Sequence, residues 1–147
     1  MANIEFMHIG ITVMDLEKMV DFYVKYFDFK RPERFGRFDE NFIGAQPALY
    51  RQPAGVYSDS AMLRSDYGIV LELFRFSNVE QSPLYEWQKT GYHHIAFKVD
   101  SIPAVYEEFA KDGIEAFFPP APRGPADSGV HWIFFKDLEG NMVELWD

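Results

Sequence analysis

The chain has 147 residues and a formal charge of −9, from 14 basic and 23 acidic side chains, a balance that repels a polyphosphate backbone and excludes nucleic acid as an expected partner. With no cysteine there is no disulfide, thiolate nucleophile or thiolate-bound zinc, so any metal has to be held by nitrogen and oxygen. The length suits one domain burying roughly 70% of its unfolded surface, and 15 Phe and 8 Tyr are more rings than a small core needs, so some are expected to line a pocket.

In chain order, residues 5–13 alternate, with Met7, Ile9, Ile11 and Val13 on one face and Phe6, His8, Gly10 and Thr12 on the other, which is a strand. Asp15 is placed to cap a helix, and Leu16, Met19, Val20, Tyr23 and Phe27 recur at helical spacing, so an amphipathic helix is expected over Leu16–Phe27. Strands follow near 29–34, 60–64 and 68–76. Between Arg37 and Ser60, Gly, Pro, Asn and Asp punctuate the sequence without sustained periodicity, and irregular chain is expected there. A connector over 77–91, containing Pro83, leads to a strand at 92–99, a helix at 102–112 ended by Gly113, and strands near 114–118, 130–136 and 141–146. Between the last two, Lys136-Asp-Leu-Glu-Gly140 reads as a tight turn, with Gly140 supplying a positive φ.

The order strand, helix, three strands therefore occurs twice, and the residues repeat with it. His8-Ile-Gly-Ile-Thr-Val aligns with His94-Ile-Ala-Phe-Lys-Val, and Gly68-Ile-Val-Leu-Glu72-Leu-Phe with Gly140-Asn-Met-Val-Glu144-Leu-Trp. Each half opens with His and closes with Glu. The interval is 64 residues in the first half and 50 in the second, and the excess belongs between Arg37 and Ser60. Two copies are too few for a solenoid, so two halves facing a groove is the simpler architecture.

In both opening strands the residues one, three and five after His are apolar and suited to lie under the helix, which turns His8 and His94 to the opposite face. Glu72 shares its face with Val70, Phe74 and Phe76, and Glu144 with Met142 and Trp146, so both carboxylates rise among apolar neighbours. Uncompensated burial of such charges costs several kcal/mol, and a divalent cation removes the conflict. Two imidazoles and two carboxylates suit nickel, cobalt, zinc, iron or manganese, and a six-coordinate ion keeps two positions open for substrate oxygens. His93 and His131 are read as supporting or surface residues.

These motifs, together with Asp21-Phe-Tyr in the first helix and Asp137-Leu-Glu-Gly-Asn-Met-Val before Glu144, resemble the vicinal oxygen chelate superfamily of glyoxalases, bleomycin resistance proteins and extradiol dioxygenases. The resemblance implies an α+β fold of two βαβββ modules forming an incompletely closed eight-stranded barrel around a metal site. Module 1 would span about 4–78, a connector 79–90 and module 2 about 91–147, usually in a homodimer. It implies one divalent metal ion held by His8, Glu72, His94 and Glu144, a set similar to that of the lactoylglutathione lyases, with Glu144 as first choice of general base and Glu72 second. Bacterial members of that group carry Arg and Asn for glutathione where this chain has Thr12 and Phe76, so the expected activity is a glyoxalase-type lyase or isomerase on a small molecule not linked to glutathione. Phe74, Phe76, Phe97, Trp132 and Trp146 suggest an apolar or aromatic substrate body, and Arg123, in Pro119-Pro-Ala-Pro-Arg-Gly-Pro, a clamp for a carboxylate. The alternatives are a ferrous extradiol-type dioxygenase using His8, His94 and Glu144, and a metal-free drug-binding protein. No basic leader and no run of about 18 apolar residues occurs, so a cytoplasmic protein without membrane partners is expected.

Overall fold

A computed structural model describes residues 3–82, 87–125 and 129–147. Contacts group the chain into two units, Met1–Gln81 and Ser82–Asp147. The expected connector falls partly outside the described residues, Pro83 included.

The first unit contains β1 (Ile9–Thr12), α1 (Leu16–Phe27), β2 (Phe29–Lys30), β3 (Gly36–Phe38), α2 (Glu40–Gly44), α3 (Pro47–Tyr50), β4 (Ser58–Ser65) and β5 (Val70–Phe76). The sheet order is β1-β5-β4-β2, with β3 also paired to β4 and β1 parallel to β5. Helix α1 has the predicted bounds. The Asp15 carboxylate accepts a hydrogen bond from the Lys18 N–H, and Asp28 closes the last turn at φ 54°, where its N–H donates to the Tyr23 carbonyl. Met19, Val20 and Tyr23 are fully buried, as are Leu63, Leu71 and Leu73 on the covered sheet face. Burying each such side chain is worth about 1.5–3 kcal/mol, so this layer anchors the unit.

The first strand is shorter than its alternation predicts. Because Ile9 pairs with Leu71 and β5 starts at Val70, residues before His8 have no neighbour to pair with, and Phe6 and Met7 lie exposed. The strand predicted over 29–34 shrinks to Phe29–Lys30. The stretch expected to be irregular holds β3 and two short helices. Asp39 caps α2 by accepting from the Phe42 N–H at 2.8 Å, and Pro47 opens α3. Helices of five and four residues are too short to register as periodicity, which is why irregular chain was expected there.

The second unit contains β6 (His94–Lys98), α4 (Ile102–Lys111), β7 (Ala121–Pro122), β8 (His131–Lys136) and β9 (Met142–Trp146), in the sheet order β6-β9-β8-β7. Ile102 and Phe109 of α4 are buried, the latter with its ring 4.7 Å from that of Phe135, and Gly113 follows at φ 75°. The strand predicted at 114–118 is not formed. Only a single bridge joins Ala116 to Phe135, and the fourth strand is Ala121–Pro122, an edge where proline's missing N–H costs nothing. The predicted turn before β9 is present, with Gly140 at φ 87° and the buried Asp137 carboxylate accepting from the N–H groups of Glu139 and Asn141 and from the Asn141 amide.

Asp147 ties this unit together. Its carboxylate accepts from the backbone N–H of Ile102, at the start of α4, and of His131, at the start of β8, and contacts the His131 ring at 3.2 Å. Burial by itself would push the carboxyl up, but these donors outweigh it and hold it below its ordinary 3.8. The stabilisation is therefore complete above that ordinary value and is lost as pH falls through the lowered folded one. In urea unfolding, Asp147→Asn is expected to be less stable than wild type at neutral pH, with the two midpoints converging in acid. A constant gap down to pH 2 would assign the effect to packing instead.

Candidate functional site

The repeat seen in the sequence is also a repeat of register. In the first sheet Glu72 on central β5 stands between Gly10 on its parallel neighbour and Met62 on its antiparallel one. In the second, Glu144 on β9 stands between Ala96 and Phe134 in the same two relations. Each His lies two residues before the partner of its Glu, hence on the same face. Two equal registers place two equal pairs.

His8 Nε2 lies 3.0 Å from Glu72 Oε2, and His94 Nε2 lies 3.3 Å from Glu144 Oε2. The carboxylates are buried, with side chains 12% and 8% exposed, while the imidazoles remain a quarter to a third exposed and so can be reached. Two donors bound at about 2.1 Å and at right angles on one ion stand about 3.0 Å apart, so each pair has the separation of adjacent ligands. His8 Nδ1 is buried without a hydrogen-bond partner among the described residues. His94 Nδ1 has one, lying 2.7 Å from Nδ1 of His93, whose ring in turn sits 4.2 Å from that of Trp87. With a cation on His94 Nε2, Nδ1 would carry the proton and His93 would accept it; with Nε2–H donating to the Glu144 carboxylate, the roles at Nδ1 reverse.

Of the four expected donors, His8 stands beside Glu72 in the first unit and His94 beside Glu144 in the second. Among the described residues no group of three or more His, Asp or Glu side chains forms a cation cage. The reason lies in what register controls: it sets a pair within one sheet and says nothing about the other sheet.

The predicted aromatic residues divide. In the first unit the Phe74 ring lies across Gly10, where a Cβ would come within 3.3 Å of it, and 5.9 Å from Phe38. Phe76 packs 6.2 Å from Tyr50, and Phe42 joins Phe38 to Tyr50. The extra residues of the first half thus contribute an aromatic wall on the face of Glu72, missed because its members lie on elements too short to read. In the second unit Phe97 pairs with Leu145 on the face covered by α4, so its assignment to the substrate body is corrected: strand parity turns it away from His94.

The second unit also holds a cleft of about 620 Å³. Phe117, Phe118, Trp132 and Phe134 wall it, and His94, Glu144 and Arg123 are polar groups in its lining. Arg123 lies 4.2 Å over the Trp146 ring and 5.1 Å from that of Trp132, and its Nη1 stands 3.8 Å from Glu144 Oε1. Trp146 therefore supports Arg123. Phe117, Phe118 and Phe134 were not singled out from sequence; the alternation Trp132, Phe134 along one strand face was the available signal for Phe134.

A family model described as the glyoxalase/bleomycin resistance protein/dioxygenase superfamily matches residues 5–145. A lactoylglutathione lyase from Pseudomonas putida is 28% identical over 98% of this chain and 85% of its own length. Among solved structures, a glyoxalase family protein from Bacillus cereus superposes with a TM-score of 0.77 at 18% identity, covering 99% of this chain and 97% of that one. The trypanothione-dependent glyoxalase I of Leishmania major gives 0.66 at 18% identity over 99% and 87%, and the fosfomycin resistance protein FosX of Mesorhizobium loti 0.59 at 21% over 97% and 90%. With the family model matching residues 5–145, nearly the whole chain, the chain belongs to the glyoxalase/bleomycin resistance protein/dioxygenase superfamily.

Proposed function

We propose that the protein is a divalent-metal-dependent lyase or isomerase of glyoxalase type that acts on a small substrate with neighbouring oxygens and does not require glutathione. The observation that carries this is the duplicated His–Glu pair, held at ligand spacing by the same register in both sheets. His8, Glu72, His94 and Glu144 would hold one ion per chain, which supplies Lewis acidity to substrate oxygens when bound.

The chain's own residues account for the rest. Glu144, buried beside Phe134 and Met142, is placed to take a proton from a substrate carbon and return it to the neighbouring one, and Glu72 is the second candidate. His93 keeps His94 in the tautomer that offers Nε2. Thr12 pairs with Phe74 and Phe76 packs on Tyr50, so neither position presents a charged group to a glutathione carboxylate.

Elemental analysis of protein purified without chelator or affinity metal tests the proposal. About one equivalent of metal per chain is expected, lost in a His8→Ala, His94→Ala variant. Nickel, cobalt, zinc or manganese would support the isomerase, whereas iron with oxygen uptake on catechols would replace it by ring cleavage. No metal after reconstitution would overturn it in favour of a binding protein.

A further inference from the structure

We infer that the cleft of the second unit is a binding site for a small aromatic acid, its ring held among Phe117, Phe118, Trp132 and Phe134 and its carboxylate on Arg123. The inference deepens the proposed function by naming the substrate class of the same site, and rests on it for the roles of His94 and Glu144.

The argument begins with charge. A chain of net −9 repels anions in general, so a carboxylate ligand needs a local, oriented cation. Arg123 is one. Its backbone N–H donates to the Val130 carbonyl at 2.8 Å, and its guanidinium lies 4.2 Å over the Trp146 ring and 5.1 Å from that of Trp132. A guanidinium presents N–H donors in a rigid fork that matches a carboxylate edge-on, and here its Nη1 stands 3.8 Å from Glu144 Oε1. The same cation opposes a positively charged ligand, which argues against sequestration of a cationic drug here.

The walls decide the body of the ligand. The Phe118 and Trp132 rings are 5.0 Å apart at 56°, and Trp132 and Phe134 are 5.7 Å apart at 88°. Such tilted pairs present faces and edges in alternation, which complements a flat ring better than an aliphatic chain. A volume of about 620 Å³ falls within the range of small-molecule sites and accommodates one or two fused rings. Covering the cleft with a ring also removes water from around the cation, which strengthens its attraction for a carboxylate relative to a neutral group.

The chain's three tryptophans report on this site directly: Trp87 and Trp132 line the cleft and Trp146 lies under Arg123. Tryptophan emission of the full chain, metal-loaded and chelator-stripped, is titrated with phenylacetate, with neutral phenylacetamide and with non-aromatic cyclohexylacetate. Saturable phenylacetate binding is expected in both preparations, at least about tenfold tighter than either comparison ligand. Arg123→Gln should raise the phenylacetate Kd by about tenfold or more, with Arg123→Lys in between. Because Arg123→Gln also alters a loop contact, Trp132→Leu provides a second variant, expected to weaken phenylacetate more than cyclohexylacetate. Equal affinity for phenylacetamide, an unchanged Kd in Arg123→Gln, or no saturation by about 10 mM would overturn the inference. Binding that persists in a protein shown to take no metal would sink the metal reading alone, and a metal-replete protein blind to phenylacetate would sink this one alone.

Discussion

Exchanging Glu144 for glutamine is expected to lower turnover by about 10²–10⁴-fold, the usual contribution of a positioned general base, while the protein stays folded. Glutamine keeps the shape of the side chain and removes its charge and basicity. Glu144 is 6% exposed and surrounded by apolar and aromatic groups, so the metal-free variant should melt no earlier than wild type, and later if burial of the carboxylate outweighs its contacts with His94 and Arg123. The metal response should change in the opposite sense. Wild-type protein is expected to gain thermal stability with added divalent ion in proportion to the logarithm of its concentration over Kd, and the variant to lose most of that gain. Turnover is followed on small 2-oxoaldehyde and 2-hydroxyketone substrates, and melting with and without metal. A fully active Glu144→Gln enzyme would move the base to Glu72, where Glu72→Gln is the corresponding test.

Leu71→Ala is expected to cost about 2–5 kcal/mol, a drop in melting temperature of roughly 5–15 °C. Leu71 is fully buried on β5, beside Ile9 of β1 and Leu63 of β4, on the face that α1 covers. One residue further along the strand, Glu72 is on the opposite face. Phe74→Leu, on that opposite face and half-buried, should cost less than about 1.5 kcal/mol although it also removes a net three carbons. Calorimetry on the two variants compares the faces directly. Equal losses would mean that the site face carries as much of the core as the helix face, contrary to the burial.

Much of this was legible from residue order because it depends on local periodicity and on chain connectivity. Alternation around His8 and His94 set which face each imidazole takes, the 3.6-residue stripe from Leu16 to Phe27 set α1 to its exact bounds, and Asp15 and Gly113 marked helix ends through capping chemistry. The internal repeat named all four His and Glu residues without any structure, since a duplicated register leaves the same spacing in each copy.

What tertiary structure decided depends on contacts between residues far apart in sequence. Strand ends followed the length of the neighbour, so β1 stops where β5 has no residue left to pair, and residues 114–118 gave way to Ala121–Pro122 on the edge of β8. The short helices between Arg37 and Ser60 brought Phe38, Phe42 and Tyr50 onto Phe74 and Phe76, an aromatic wall that no periodic pattern encodes. Arg123 and Trp146 are 23 positions apart, and only folding of the loop onto the sheet places the cation on the indole and beside Glu144. Periodicity is a property of neighbours along the chain and can be read there; the partner of an arginine is a property of the folded surface and cannot.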